Sequence, residues 1–230
     1  MKKEFNVTGS CNPEWHYMVD TEKRFQAVAN LINRGKYFTI NRARQYGKTT
    51  TLNMIRRKLS DQYLVIQTSF EGVGDDPFKT EASFVKMLAN LIQDELRRVK
   101  SEENFVAQWN QDKIFSFRDL GETISHFCKS YPRPVIVLID EVDKSSDNQT
   151  FIDFIGLLRD LYLNREKEGM DSTFHSVVLA GVYDVKNLKL KLRPDAEKKY
   201  NSFELFHAYP VLKRLQRYAF IRAVTQRISS

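Results

Sequence analysis

Cysteine is nearly absent from this chain: Cys11 and Cys128 are the only two, far apart and without a C-x-x-C companion. They read as free thiols in a reducing compartment rather than as a disulfide. Histidine is as sparse, and His16, His126, His175 and His207 are scattered, so no zinc site is expected. Long apolar runs are missing too. The longest, such as Val135 to Ile139 and Val177 to Ala180, fall far short of the roughly 20 residues that cross a bilayer, so no membrane partner is expected. Met1 to Asn6 has basic residues with no apolar stretch behind them, which predicts no signal peptide and a cytoplasmic location. Glycine and proline are modest, at 9 and 6 of 230 residues, beside 42% hydrophobic and 28% charged residues. That composition is globular, neither disordered nor fibrous, and the length suits one large domain or one domain with a small appendage.

The net charge of +7 is unevenly spread. From Phe203 onward Lys213, Arg214, Arg217, Arg222 and Arg227 stand against Glu204 alone, while positions 1 to 202 hold 31 basic and 28 acidic residues. Basicity therefore belongs mostly to the end of the chain, and a weak nucleic-acid contact through residues 203–230 is one functional reading.

Hydrophobic periodicity sets out the elements. Phe25, Val28, Ala29 and Ile32 recur at helical spacing within 21–34, and Gly35 stops the helix. Tyr37 to Ile40 reads as a strand, and 48–59 as a helix with Leu52, Ile55 and Leu59 on one face. Leu64 to Phe70 is a second strand, 78–99 a long helix and 100–113 a polar connection. Ser116-Phe117-Arg118-Asp119 has the form of a capping box opening a helix that Pro132 and Pro134 end. Val135 to Ile139 is a strand buried on both faces. A helix over 150–165 follows, with Thr150 and Asp153 as its candidate cap, and then a central strand over 176–182. Leu188, Leu190 and Leu192 alternate with lysines as in an edge strand or an extended arm. Strand and helix alternate throughout, which predicts an α/β fold with a mostly parallel central sheet flanked by helices.

Chemistry concentrates at two strand ends. After the first strand comes Arg42-Ala43-Arg44-Gln45-Tyr46-Gly47-Lys48-Thr49-Thr50, where a glycine turn, a lysine and two threonines open a helix. This is the layout of a phosphate-binding P-loop, in which helix N–H groups receive phosphates, Lys48 reaches the outer ones and Thr49 holds Mg²⁺. The pattern G-x-x-x-x-G-K-[ST] would put its first glycine at position 42, and here that residue is Arg42. The five apolar residues 135–139 end in Asp140-Glu141, a Walker B pattern. Asp140 is expected to hold Mg²⁺ and Glu141 to orient and deprotonate the water that attacks the γ-phosphate. Parallel sheets bind ligands beyond the carboxyl ends of their strands, so both features belong at one site.

Further stretches carry a resemblance. Glu4 to Gly9, His16 to Asp20, Tyr37 to Arg42, Arg44 to Thr50, Ser69 to Gly72 and Leu179 to Asp184 together resemble the AAA-like P-loop ATPases of anaerobic bacteria. These are similar to the additional-strand, catalytic-glutamate class, and longer members are often followed by a restriction-nuclease-like segment. The resemblance implies a three-layer P-loop NTPase fold over 1–202, ATP as ligand and Mg²⁺ as cofactor. It also implies a loop of the form Asn-Arg-x-Arg-Gln-Tyr-Gly-Lys-Thr, which accounts for Arg42, with Ala43 standing where proline is expected. Two departures follow. The strand at 177–182 ends without a polar sensor, leaving Tyr183 or Asp184, and residues 203–230 form a basic, helix-prone tail instead of a lid and nuclease-like part. Three functions compete: an ATPase that couples hydrolysis to shape change, a nucleotide-gated binding module with little turnover, and nucleic-acid association through the tail. Arg44, Arg159 and Arg193 are candidate partners for phosphate charge, in cis or across a homo-oligomer interface, and Glu71 is a weaker candidate for the same cleft.

Overall fold

The computed structural model describes residues 22–41, 47–98, 103–107, 109, 111–142, 148–181 and 207–208. Five strands, β1 (Tyr37–Asn41), β2 (Leu64–Ser69), β3 (Val135–Asp140), β4 (Ser176–Gly181) and β5 (His207–Ala208), form one sheet in the order β2-β3-β4-β1-β5. Every pairing among them is parallel. β4 therefore lies between β1 and β3, the extra strand that the resemblance implied. The two-residue β5 lies beyond residue 202 and sets its backbone beside Phe38 and Thr39. The expected strand at 188–192, the lead-in 1–21 and most of the basic tail lie outside the described residues.

Helices cover both faces, as the continuous apolar strands require. On one face α1 (Glu22–Asn33) and α2 (Lys48–Leu59) bury Phe25, Val28, Ile32, Leu52, Ile55 and Leu59 against Phe38, Ile40, Ile136, Leu138 and Val178. On the other, α3 (Glu81–Arg98), α5 (Phe117–Ser130) and α6 (Gln149–Glu168) pack a phenylalanine-rich core on Tyr37, Ile66, Val137, Ile139, Val177 and Leu179. Each fully buried aliphatic or aromatic side chain contributes roughly 1.5–3 kcal/mol from area alone. The two cores alternate residue by residue along each strand because successive side chains point to opposite faces. On β3 that alternation puts Asp140 on the face of Ile136 and Leu138, under α2.

Two segments depart from expectation. The helix expected over 78–99 begins as a 3₁₀ turn at Asp76–Phe78 and resumes as α3 only at Glu81. The connection 100–113 holds a short helix α4 (Glu103–Val106), a 3₁₀ turn at Gln111–Lys113 and Trp109, which is fully buried against Phe127 with its indole N–H donating to the Ala89 carbonyl.

At the amino edge of the sheet, Arg165 of α6 is buried against the rings of Tyr37 and Tyr162, which also pack edge-on against each other. Its guanidinium donates to the carbonyls of Gly35, Phe174 and His175, which precede β1 and β4. One cation thus ties the starts of two neighbouring strands. Burial in this layer also pushes the Tyr37 hydroxyl and the Cys128 thiol well above their ordinary ranges, so both stay protonated at neutral pH.

Candidate functional site

Gly47 opens the site. It caps α2 in the left-handed conformation at φ 74°, and its carbonyl accepts from both the backbone and the hydroxyl of Thr51. Among the described residues a Cβ there would meet only Thr50 at 4.0 Å, and the left-handed backbone itself favours glycine. Among the described residues no side chain caps this helix start. The first N–H groups of α2 have no partner within the helix, and together with the helix dipole they favour an anion.

Directly below, Thr49 Oγ1 donates to Asp140 Oδ2 at 2.7 Å. These residues are 91 positions apart in sequence, and β4 separates their strands. The pleat brings them together: Asp140 is the last residue of β3 and faces α2, whose first turn carries Thr49. Asp140 is buried, and its second oxygen, Oδ1, accepts from the backbone N–H of Glu141 at 2.9 Å. Its orientation is thereby fixed from two sides. Lys48 is buried in the same turn.

Glu141 is the only described non-glycine residue with positive φ, at 55°. A glutamate in that region costs of order 1 kcal/mol, and such outliers cluster at functional sites. The twist turns the chain away from the strand direction immediately after Asp140.

A threonine hydroxyl and a carboxylate are hard oxygen donors, and the pair fits Mg²⁺, which keeps most of its waters and needs few protein ligands. Among the described residues no cluster of three or more His, Cys, Asp or Glu side chains converges as a metal centre. A cation held by Thr49 and Asp140 would complete its shell from water and phosphate.

Of the residues expected at the site, Gly47, Lys48, Thr49, Thr50, Asp140 and Glu141 meet at the carboxyl edge of the sheet. Arg42, Ala43, Arg44, Gln45 and Tyr46 lie outside the described residues, as do Tyr183, Asp184 and Arg193. Arg159 is ten residues into α6, about 15 Å along its axis, and its guanidinium lies 3.9 Å from Asp160. Glu71 is exposed, with its N–H donating to Ser69 Oγ. β4 ends at Gly181, which carries no side chain to present. Ser69 received no role from the sequence, yet it pairs in register with Asp140. Its sequence signals were a place in the Ser69 to Gly72 stretch of the resemblance and a position near the end of a strand of unknown neighbour.

A solved structure with the same fold is the ORC2 protein of Aeropyrum pernix, in ADPNP-ADP complexes, with a TM-score of 0.53 at 14% identity. The match covers 84% of this chain and 47% of that one, so the chain spans about half the length of the protein it resembles. No curated protein matches the chain. Among the described residues no helix is long and apolar enough to cross a membrane. With a sheet that sets an extra strand between the loop strand and the acidic strand, and with residues 10–188 matching the AAA-like domain, the chain belongs to the AAA-like domain family.

Proposed function

We propose that this protein binds ATP with Mg²⁺ and hydrolyses it, coupling turnover to a change of shape. The observation that carries the reading is the 2.7 Å contact between Thr49 and Asp140, the two metal-holding positions of the P-loop and Walker B patterns. The nucleotide complexes of the A. pernix ORC2 protein support the same ligand class.

The roles follow from chemistry. The uncapped start of α2 and Lys48 receive the phosphates, Thr49 and Asp140 hold the cation, and Glu141 accepts the proton of the attacking water. Mg²⁺, when bound, neutralises charge that develops on the β- and γ-phosphate oxygens. Arg42, Ala43, Arg44, Gln45 and Tyr46 form the remainder of the proposed phosphate loop.

The test is ATP and GTP hydrolysis with and without Mg²⁺, beside binding of ADPNP. Lys48→Ala should abolish binding, and Glu141→Gln should stop turnover while leaving nucleotide bound. Turnover unchanged in Glu141→Gln would remove Glu141 from its role. A second reading, a nucleotide-gated binding module with little turnover, draws support from Gly181, which leaves the end of β4 without a polar side chain. Tight ADPNP binding with turnover indistinguishable from Glu141→Gln would favour it.

A further inference from the structure

We infer that Ser69 is a positioning residue for the metal site, its hydroxyl oxygen accepting a hydrogen bond from a water of the Mg²⁺ shell beside Asp140. The inference rests on the proposed Mg²⁺-dependent nucleotide binding. Three observations carry it.

First, β2 and β3 pair in parallel with Ser69 opposite Asp140, and the ladder continues one residue further through Phe70 N–H donating to the Asp140 carbonyl at 3.0 Å. Adjacent parallel strands lie about 4.8 Å apart, and residues in register point to the same face. Ser69 therefore stands beside Asp140 on the α2 side of the sheet, while Thr68 and Phe70 turn into the opposite core.

Second, both Asp140 oxygens are engaged, Oδ2 by Thr49 and Oδ1 by the Glu141 N–H. These two contacts fix the carboxylate and leave each oxygen one further lone pair for a cation or its water, so the remaining waters of a cation need other partners around it. Mg²⁺ dehydrates reluctantly and retains several waters. Neighbouring side chains that hydrogen-bond to such a shell set its orientation.

Third, Ser69 Oγ is held in place by accepting the N–H of Glu71 at 3.0 Å. A hydroxyl has one proton and two lone pairs. The Glu71 N–H occupies one lone pair, fixes the rotamer and leaves the second lone pair to accept from a metal-bound water. A preset acceptor one strand from the metal carboxylate is what an outer-shell position requires. Gln67, two residues earlier on the same face, donates its amide N–H to Asn53 of α2 and lies further back along β2, so Ser69 is the side chain of β2 level with Asp140.

The test is Mn²⁺ binding, read by electron paramagnetic resonance, to the full chain with ADPNP. Ser69→Ala, Ser69→Thr and Asp140→Asn are compared with wild type, and ADPNP affinity is also measured without metal. Outer-shell changes typically weaken metal affinity 10- to 100-fold, so Ser69→Ala should weaken Mn²⁺ binding about tenfold. Its metal-free ADPNP affinity should stay within about twofold, and Ser69→Thr should restore the metal affinity. Unchanged Mn²⁺ affinity in Ser69→Ala overturns the inference. So does an equal loss of metal-free ADPNP binding, which would mean that Ser69 serves only the turn at Glu71. Wild-type protein that retains no Mn²⁺ with ADPNP removes the underlying reading and the inference with it, whereas normal wild-type binding beside an unaffected Ser69→Ala sinks the inference alone.

Discussion

His175 sits just before β4 with its ring packed 5.3 Å from Tyr63 and its Nε2 2.9 Å from the Ile32 carbonyl. Burial lowers its pKa from the ordinary histidine value near 6.5, and the Arg165 charge adds to the effect while the Ile32 carbonyl opposes it. The sign follows from proton counting. Between the folded pKa and about 6.5 the unfolded chain binds more protons than the native one, so stability rises with pH across that window. Acidification through 6.5 therefore costs stability until the folded pKa is passed, and above 6.5 the residue contributes no pH dependence. His175→Gln keeps a donor for Ile32 and removes the titration. The drop in Tm from pH 7.5 to pH 5.5 should be larger in wild type than in His175→Gln, and equal drops would show that His175 does not titrate in that window. Glu141 raises a different single-residue question. Its left-handed backbone suits asparagine better than glutamate, so Glu141→Asn should hold or raise Tm while abolishing turnover. A clear fall in Tm would mean that the glutamate side chain stabilises the fold.

At the scale of elements, two cap patterns of the same form had different fates. Ser116 and Asp119 make the expected box: the Ser116 oxygen accepts from the Asp119 N–H, and Asp119 Oδ2 accepts from the Ser116 N–H. Thr150 and Asp153 do not. α6 begins one residue earlier, and its cap is Asn148, whose side-chain oxygen accepts from the Thr150 N–H at 2.9 Å. Thr150 is itself buried inside the first turn, and Asp153 accepts from Gln149 instead. The pattern alone could not choose, because an asparagine two positions upstream is an equally strong cap. Asn148→Ala should cost about 1 kcal/mol in chemical denaturation, and Asp153→Ala should stay within about 0.5 kcal/mol. The reverse order would restore the Thr150 cap. The same limit explains the other elements. Strands β3 and β4 were legible because burial on both faces writes an unbroken apolar run, and β2 because Leu64, Val65 and Ile66 open a β-branched, apolar segment. Trp109 was not, since one aromatic in a polar stretch carries no period, and its burial depends on Ala89 and Phe127 from other helices. Arg165 entered only as the end of the helix over 150–165, and only its packing against Tyr37 and Tyr162 reveals the strand starts it binds.

Across the whole molecule the sheet separates two tasks. Its amino edge is locked by Arg165, whose loss would leave the Gly35, Phe174 and His175 carbonyls without that donor, whereas its carboxyl edge gathers the uncapped α2, Thr49, Asp140 and Glu141. That gathering was legible because ligands of parallel sheets collect beyond strand ends, whichever strands are neighbours. The strand order was not, since the apolar run of β4 says nothing about what it pairs with; the family resemblance implied an additional strand without its place in the order. A site assembled from β3 and α2 exists in the native chain and is dispersed on unfolding, so a nucleotide that binds it must stabilise the fold by mass action. At 100 times its dissociation constant a ligand adds about 2.7 kcal/mol, and a chain of this length gains about 2–4 °C per kcal/mol. Mg²⁺ with ADPNP should therefore raise Tm by about 5–11 °C at that saturation, and less when Mg²⁺ is withheld, because Thr49 and Asp140 then contribute no metal bridge. Glu141→Gln should show the full shift with ATP itself, which it holds without consuming, while Lys48→Ala should show almost none. A shift in Lys48→Ala equal to wild type would mean that nucleotide binds elsewhere, and no shift in either protein would remove nucleotide binding from this chain.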